Sequence, residues 1–207
     1  MNTKHFLAAC ALAIAASSQA ATVVDTGTPS GVAVGSDLFD SIDWYAAEVS
    51  FASAARIDAI YAHVLNGSAG ETFTLSLYAD DGASAPGTLL YTTTATYGSA
   101  GWNGVSGLSG WDVASGSYWV GLEVQWSDTL GSSSVTGALL DLGAPSPLAH
   151  WASDTTGGFG YDAIGTTSLG LRVDATAVPE PASGLLMLAG LPLLAAAARR
   201  RSQRQPG

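Results

Sequence analysis

Apolar and polar positions alternate strictly along much of the middle of the chain. Between Thr72 and Ala79, Phe73, Leu75, Leu77 and Ala79 fall on one side and Thr72, Thr74, Ser76 and Tyr78 on the other. Tyr118, Val120, Leu122, Val124 and Trp126 alternate with Trp119, Gly121, Glu123 and Gln125. Leu169, Leu171 and Val173 alternate with Gly170 and Arg172. A period of two puts every second side chain on the same face of an extended chain, so these runs predict half-buried strands. Phe73, Leu75, Leu77, Val120, Leu122, Val124, Leu169 and Leu171 are the expected core, and Trp126 joins them by its spacing from Leu122. Further strands are predicted near 44–51, 56–65, 88–97, 108–113, 134–142 and 147–152. Asn66-Gly67, Asp81-Gly82, Pro86-Gly87, Asn103-Gly104 and Gly157-Gly158 are the turn signals between runs. No stretch of 21–177 combines a helical period with caps. Eight or nine short strands with no helix between them predict an all-β domain. Its expected form is an antiparallel β-sandwich or jelly roll, with a single closed barrel as the alternative.

Both ends of the sequence break this pattern. Met1 to His5 contains Lys4, Phe6 to Ala16 is apolar, and Ser17-Ser18-Gln19-Ala20 follows. A basic start, a short apolar core and small residues at 18 and 20 predict a secretory signal peptide at 1–20, helical while it is engaged, cut between Ala20 and Ala21. At the other end, Val178-Pro179-Glu180-Pro181 precedes an uncharged run from Ala182 to Ala198, and Arg199, Arg200 and Arg201 follow. As a helix that run would be roughly 25 Å long, at the short end of what spans a bilayer. Gly184, Gly190 and Pro192 weaken a helix in water but are common in membrane helices. The arginines favour the cytoplasmic side, which turns residues 21–177 outward.

Charge sharpens this division. Residues 21–177 hold sixteen of the seventeen acids but only two basic residues, Arg56 and Arg172, which leaves them a formal charge of −14. Such a surface repels phosphate backbones and argues against nucleic acid as a partner. Cys10, the only cysteine, lies in the leader, so the domain holds neither a disulfide nor a thiolate metal site.

The tail resembles the PEP-CTERM sorting signal. The triplet Pro179-Glu180-Pro181, the apolar segment 182–198 and the arginine cluster within 199–207 stand in that family's order, and a signal peptide accompanies them. The resemblance implies an exosortase as partner, processing near the triplet, and transient anchoring in the inner membrane. It also implies delivery to the cell surface or extracellular matrix of a Gram-negative bacterium that makes exopolysaccharide. Two prolines hold the junction extended and stop a helix from running through it. More loosely, the stretch Phe73 to Leu90, with Gly116-Ser117-Tyr118-Trp119-Val120, resembles the β-sandwich ectodomains often found ahead of such tails. That second likeness implies a fold and no activity.

Chemistry is harder to read. His63 and His150 are the domain's two histidines, and no Gly-x-Ser-x-Gly elbow accompanies them. A glycan hydrolase would need two carboxylates facing each other across a cleft, and the sequence ranks no pair above another. Asp37, Asp40 and Asp43, and Asp80-Asp81-Gly82, place hard oxygen ligands in loops of the kind calcium takes. Neither run has EF-hand spacing, and aspartates in turns commonly cap backbone groups. Six tryptophans, Trp44, Trp102, Trp111, Trp119, Trp126 and Trp151, all lie in the domain. Trp102, between Gly101 and Asn103, is expected in a loop and is the candidate glycan contact. The expected function is a non-enzymatic surface or biofilm-matrix protein associated with extracellular polysaccharide. A secreted glycan hydrolase on the same scaffold is the alternative. No catalytic residue, cofactor or metal ligand is assigned.

Overall fold

The computed structural model describes residues 20–29, 36–132, 138–141, 150–154, 160–165 and 169–178. Residues 1–19 and 179–207 lie outside them, and with them most of the predicted signal peptide, the Pro179-Glu180-Pro181 triplet, the apolar run 182–198 and Arg199 to Arg201. Among the described residues no helix is long and apolar enough to cross a membrane.

Among the described residues thirteen strands form two sheets, and every pairing between them is antiparallel. The first sheet is ordered β1 (Ala21–Asp25), β13 (Leu171–Ala177), β4 (Ala55–Leu65), β10 (Ala138–Asp141), β2 (Ser36–Phe39). Strands β7 (Gly101–Ser106) and β8 (Asp112–Val113) also pair with β4. Residues Ala59 to Ala62 have partners in both β13 and β7, so these two strands flank β4 on opposite edges. The second sheet is ordered β12 (Asp162–Gly165), β11 (Trp151–Asp154), β3 (Trp44–Phe51), β9 (Gly116–Glu123), β5 (Thr72–Asp80), β6 (Pro86–Thr96).

One core joins the sheets. Ile57, Ile60, Ala62, Val64, Leu171 and Val173 of the first sheet belong to the same buried cluster as Val49, Leu75, Leu77, Val120 and Leu122 of the second. Eight of the nine residues expected in the core are buried. Strand β4 reaches the core by breaking its own period. The register against β13 slips between Ala59 and Ile57, leaving Asp58 as the extra residue of a bulge. The bulge lets Ile57 and Ile60, three apart, face the same way.

The pattern misleads in three places. Trp126 is fully exposed at 101%, not in the core. Strand β9 stops at Glu123, because the Asp128 carboxylate accepts from Gln125 N at 2.9 Å and from Thr74 Oγ1 at 2.7 Å and closes a turn there. Asn103-Gly104 lies inside β7 rather than in a turn, and Trp102 lies in that strand rather than in a loop. Pro86-Gly87 opens β6. By contrast Asn66 does turn the chain, with φ of 59°, a left-handed conformation that asparagine tolerates. The run 108–113 yields only the two-residue β8, and β1, β2 and β12 carry no alternation long enough to announce them.

Candidate functional site

The outer face of the second sheet is where polar side chains were expected to meet water. In cross-strand register Tyr78 lies opposite Trp119, Ser76 opposite Gly121 and Thr74 opposite Glu123. Ala46 lies opposite Gly121, and Ala152 opposite Ala46. Directly opposed residues share a face. Ala152, Ala46, Gly121 and Ser76 therefore make a row of small residues across four neighbouring strands, a shallow trough. The ring of Tyr161 meets that of Tyr78 there, edge to face, with centroids 5.8 Å apart. Ala46, Trp119 and Ala152 are buried beneath the two tyrosines.

Glu123 is the centre of this face and is completely buried, at 0% exposure. Its Oε1 accepts from the hydroxyls of Tyr78 at 2.6 Å and Tyr161 at 2.9 Å. Its Oε2 accepts from Ser76 Oγ at 3.0 Å and Gln125 Nε2 at 2.7 Å. An ionised carboxylate offers about four acceptor sites, and four donors fill them. Gly121 makes the arrangement possible. A Cβ there would stand 2.7 Å from Glu123 Oε1, 3.0 Å from Tyr78 Cε2 and 3.2 Å from the Tyr161 oxygen. Nearby, Trp119 donates its indole N–H to Asp80 Oδ1 at 2.8 Å.

Burial, and then the negative charge and hydrogen bond of Glu123, push the Tyr78 phenol above its ordinary range. The same causes push Tyr161 well above it. Unfolded tyrosines lose their protons near about pH 10, whereas these two keep theirs in the folded protein. The folded state therefore binds more protons above that pH, and stability falls as pH rises through it. An absorbance titration of the phenolates should show two groups that ionise only as the protein unfolds. The double variant Tyr78→Phe, Tyr161→Phe should lack that step. Full ionisation of every tyrosine near pH 10 with the fold intact would contradict the network.

Beside the network lies a cleft of about 180 Å³ lined by Trp44, Tyr78, Pro86, Gly87, Asp154, Gly160 and Tyr161. Trp44 is fixed at its edge by donating Nε1 to the carbonyl of Val124 at 3.1 Å. Asp154 is 2% exposed, and its Oδ2 accepts from Gly160 N at 3.2 Å. Three aromatic side chains and one carboxylate thus converge on a space with no basic residue among its described lining residues.

The residues singled out from sequence are placed elsewhere. Trp102 lies on the first sheet, edge to face with His63 at 5.3 Å, with the Arg172 guanidinium 4.6 Å over its ring. Arg172 is itself paired with Asp25, so one face of this tryptophan is already taken by a positioned cation. His150 Nδ1 sits 2.5 Å from Glu48 Oε2. In the two suggested calcium runs, Asp40, Asp80 and Asp81 act as local caps. Asp40 Oδ1 accepts from Ile42 N and Asp43 N, Asp80 Oδ2 from Gly82 N, and Asp81 Oδ1 from Ala83 N and Ala85 N. Among the described residues no three His, Cys, Asp or Glu side chains come together as a metal ion would require. Sequence reasoning passed over Glu123, Tyr161, Trp44 and Asp154. Only Glu123 left a signal, as the single charged residue within the alternating run 118–126.

No protein-family model matches the chain, and no curated protein matches it.

Proposed function

We propose that the chain is an exported, non-enzymatic protein of the cell surface or extracellular matrix, sorted by a PEP-CTERM tail and associated with exopolysaccharide in a biofilm. Residues 1–20 direct export and are removed at Ala20-Ala21. Residues 182–198 cross the inner membrane as a helix, with Arg199 to Arg201 in the cytoplasm. An exosortase processes the chain near Pro179-Glu180-Pro181, and the two sheets form a sandwich of jelly-roll kind outside. The observation that carries this reading is the order of triplet, apolar run and arginines within 178–201.

Domain geometry supports it. Strand β1 begins at Ala21, one residue after the cleavage position, and β13 ends at Ala177, one residue before Val178. The two strands pair antiparallel with Ala21 opposite Ala175, so leader and tail leave the domain side by side. A domain tethered from one end can face a single membrane throughout export and processing. The hydrolase alternative gains nothing from Glu123, whose carboxylate is saturated by four donors and turned away from solvent.

Replacing Glu180 and Arg199 to Arg201 with alanine should leave folding intact, because all four follow the proposed domain, residues 21–177, in the sequence. In cells that possess an exosortase it should trap unprocessed protein in the membrane fraction. A mass measurement on protein released from the surface of wild-type cells decides the matter. Residues 178–207 still attached to released protein would refute processing, and a full-length chain that never enters the membrane fraction would refute the anchor too.

A further inference from the structure

We infer that β6 is a dimerisation strand: two copies of this chain join their second sheets edge to edge through Thr92 to Thr96, antiparallel, with Thr94 on the two-fold axis. The inference goes beyond sorting and concerns what the domain does among its own copies.

Backbone geometry comes first. An edge strand presents donors and acceptors that no neighbour has taken. β6 ends the second sheet and pairs with β5. The pairing is regular from Thr72 opposite Thr96 to Leu77 opposite Tyr91. Next along, Tyr78 lies opposite Leu89, so Leu90 is the extra residue of a bulge that ends the flat stretch. Tyr97 N donates to Glu71 O at 2.7 Å, so the backbone of Tyr97 points toward β5. Alternation along the strand points Ala95, Thr93 and Tyr91 the same way. It leaves the N–H and C=O groups of Thr92, Thr94 and Thr96 aimed at the open edge. Among the described residues those three have no backbone partner on that side. Their side chains are exposed.

Charge selects the occupant. Proteins guard a bare edge with lysine, an inward charge, a proline or a bulge. After Pro86, β6 has no charge and no further proline, and the bulge at Leu90 guards one end only. The uncharged region is wider than the strand. Gly82 to Trp111 contains no Asp, Glu, Lys, Arg or His, in a domain whose formal charge is −14. That stretch includes β7, which lies against β6. Over much of the remaining surface two copies would set acid against acid. At β6 they approach without doing so.

Self-pairing then fixes the register. Opposed residues share a face, so both cores stay on one side of the joined sheet only when an outward residue meets an outward residue. Thr94 opposite Thr94 of the second copy also sets Thr92 opposite Thr96. Every edge-facing N–H and C=O of the three threonines then meets its counterpart, and their side chains form cross-strand pairs. Centring on Thr93 would set Thr96 against the bulged Leu90. Centring on Ala95 would set Thr92 against Gly98, beyond the strand.

The test is sedimentation equilibrium of the full-length protein in a density-matched polyoxyethylene detergent. A monomer–dimer equilibrium should appear by about 0.1 mM chain, and a chain still monomeric there overturns the proposal. Added salt should tighten the dimer by screening the repulsion between acidic domains. A dimer that salt weakens overturns the uncharged interface. Thr94→Lys and Thr94→Glu each set like charges on the axis and should weaken the dimer at least about tenfold. The site is exposed and its backbone points away from β5, so melting temperatures should stay near wild type. An equimolar mixture of the two variants sets lysine opposite glutamate and should recover the dimer. A dimer made through the membrane tail would survive either substitution, and that result, or a mixture that fails to recover, overturns the assignment to β6. In a Cys10→Ala background, Thr94→Cys should form an intermolecular disulfide on oxidation, because opposed Cα atoms about 5.5 Å apart lie within reach. Thr88→Cys, on the same strand but off the axis, should not. Equal cross-linking at both positions overturns the register.

Discussion

Replacing Glu123 with alanine is expected to destabilise the domain by about 3–5 kcal/mol, because a buried donor left without an acceptor costs about 1–3 kcal/mol and a partly buried one, which water can reach, costs less. Four donors lose their partner together: the hydroxyls of Ser76, Tyr78 and Tyr161 and the amide of Gln125. Two of them, Tyr161 and Gln125, lie outside the four strands at the centre of the sheet. Glu123 therefore fastens the segment before β12 and the turn after β9 onto one face. A whole domain is stable by only about 5–15 kcal/mol, so the loss would take a large share of the total. Glu123→Gln keeps the shape and one acceptor oxygen, and should cost less, about 1–2 kcal/mol. Urea denaturation followed by tryptophan fluorescence measures both. An alanine variant within half a kcal/mol of wild type would show that the four bonds do not act on stability as described.

The second large effect is expected at Gly104. A Cβ at that position would stand 2.1 Å from the carbonyl oxygen of Ile60 and 2.6 Å from Tyr61 Cα. Both are backbone atoms of β4, so no side-chain rotation relieves the clash, and β7 must move away from β4. The movement would disturb Asn103, which is buried and ties Gly98 N, Ser99 O and Gly101 O together through its side chain. It would also separate Trp102 from His63, which pair directly across the two strands. Gly104→Ala should therefore cost more than about 3 kcal/mol, beyond the usual range for overpacking. Gly107 is the control. It has φ of 72° and open space around it. Gly107→Ala should thus cost only the strain of a left-handed alanine, about 1–2 kcal/mol. Thermal melts of the two variants side by side check the ranking, and equal melting temperatures would remove the argument from close strand approach.

Gly104 also shows where dipeptide signals stop being informative. Asn-Gly is a strong turn signal because both residues tolerate positive φ. The same pair serves inside a strand when a neighbouring backbone passes too close for a side chain. Asn66-Gly67 is the first case and Asn103-Gly104 the second. The difference lies in β4, some forty residues away from Gly104 in the chain, and nothing next to the dipeptide encodes it. Trp126 fails for a related reason. Its spacing continues that of Val120 and Leu122, but the strand ends at Glu123 because Asp128 takes Gln125 N and the hydroxyl of Thr74 on another strand.

The sequence by itself determined the all-β class, the inward residues of β5 and β9, and the contrast between an acidic middle and two apolar, basic-flanked ends. These follow from period and composition, which are local properties that a chain carries before it folds. The tertiary structure decided which polar face stays dry. Trp119, Gly121 and Glu123 read as a solvent face because nothing in their own strand covers them. They are buried because the sheet order places β3 alongside β9 and β11 beyond β3, and because Tyr161, thirty-eight residues beyond Glu123, closes over the trough. A buried carboxylate is tolerable only with its acceptor sites filled, and the donors come from β5, from the turn after β9 and from the segment leading into β12. Convergence of that kind is a property of the folded sheet, so the cleft it supports could be found only there.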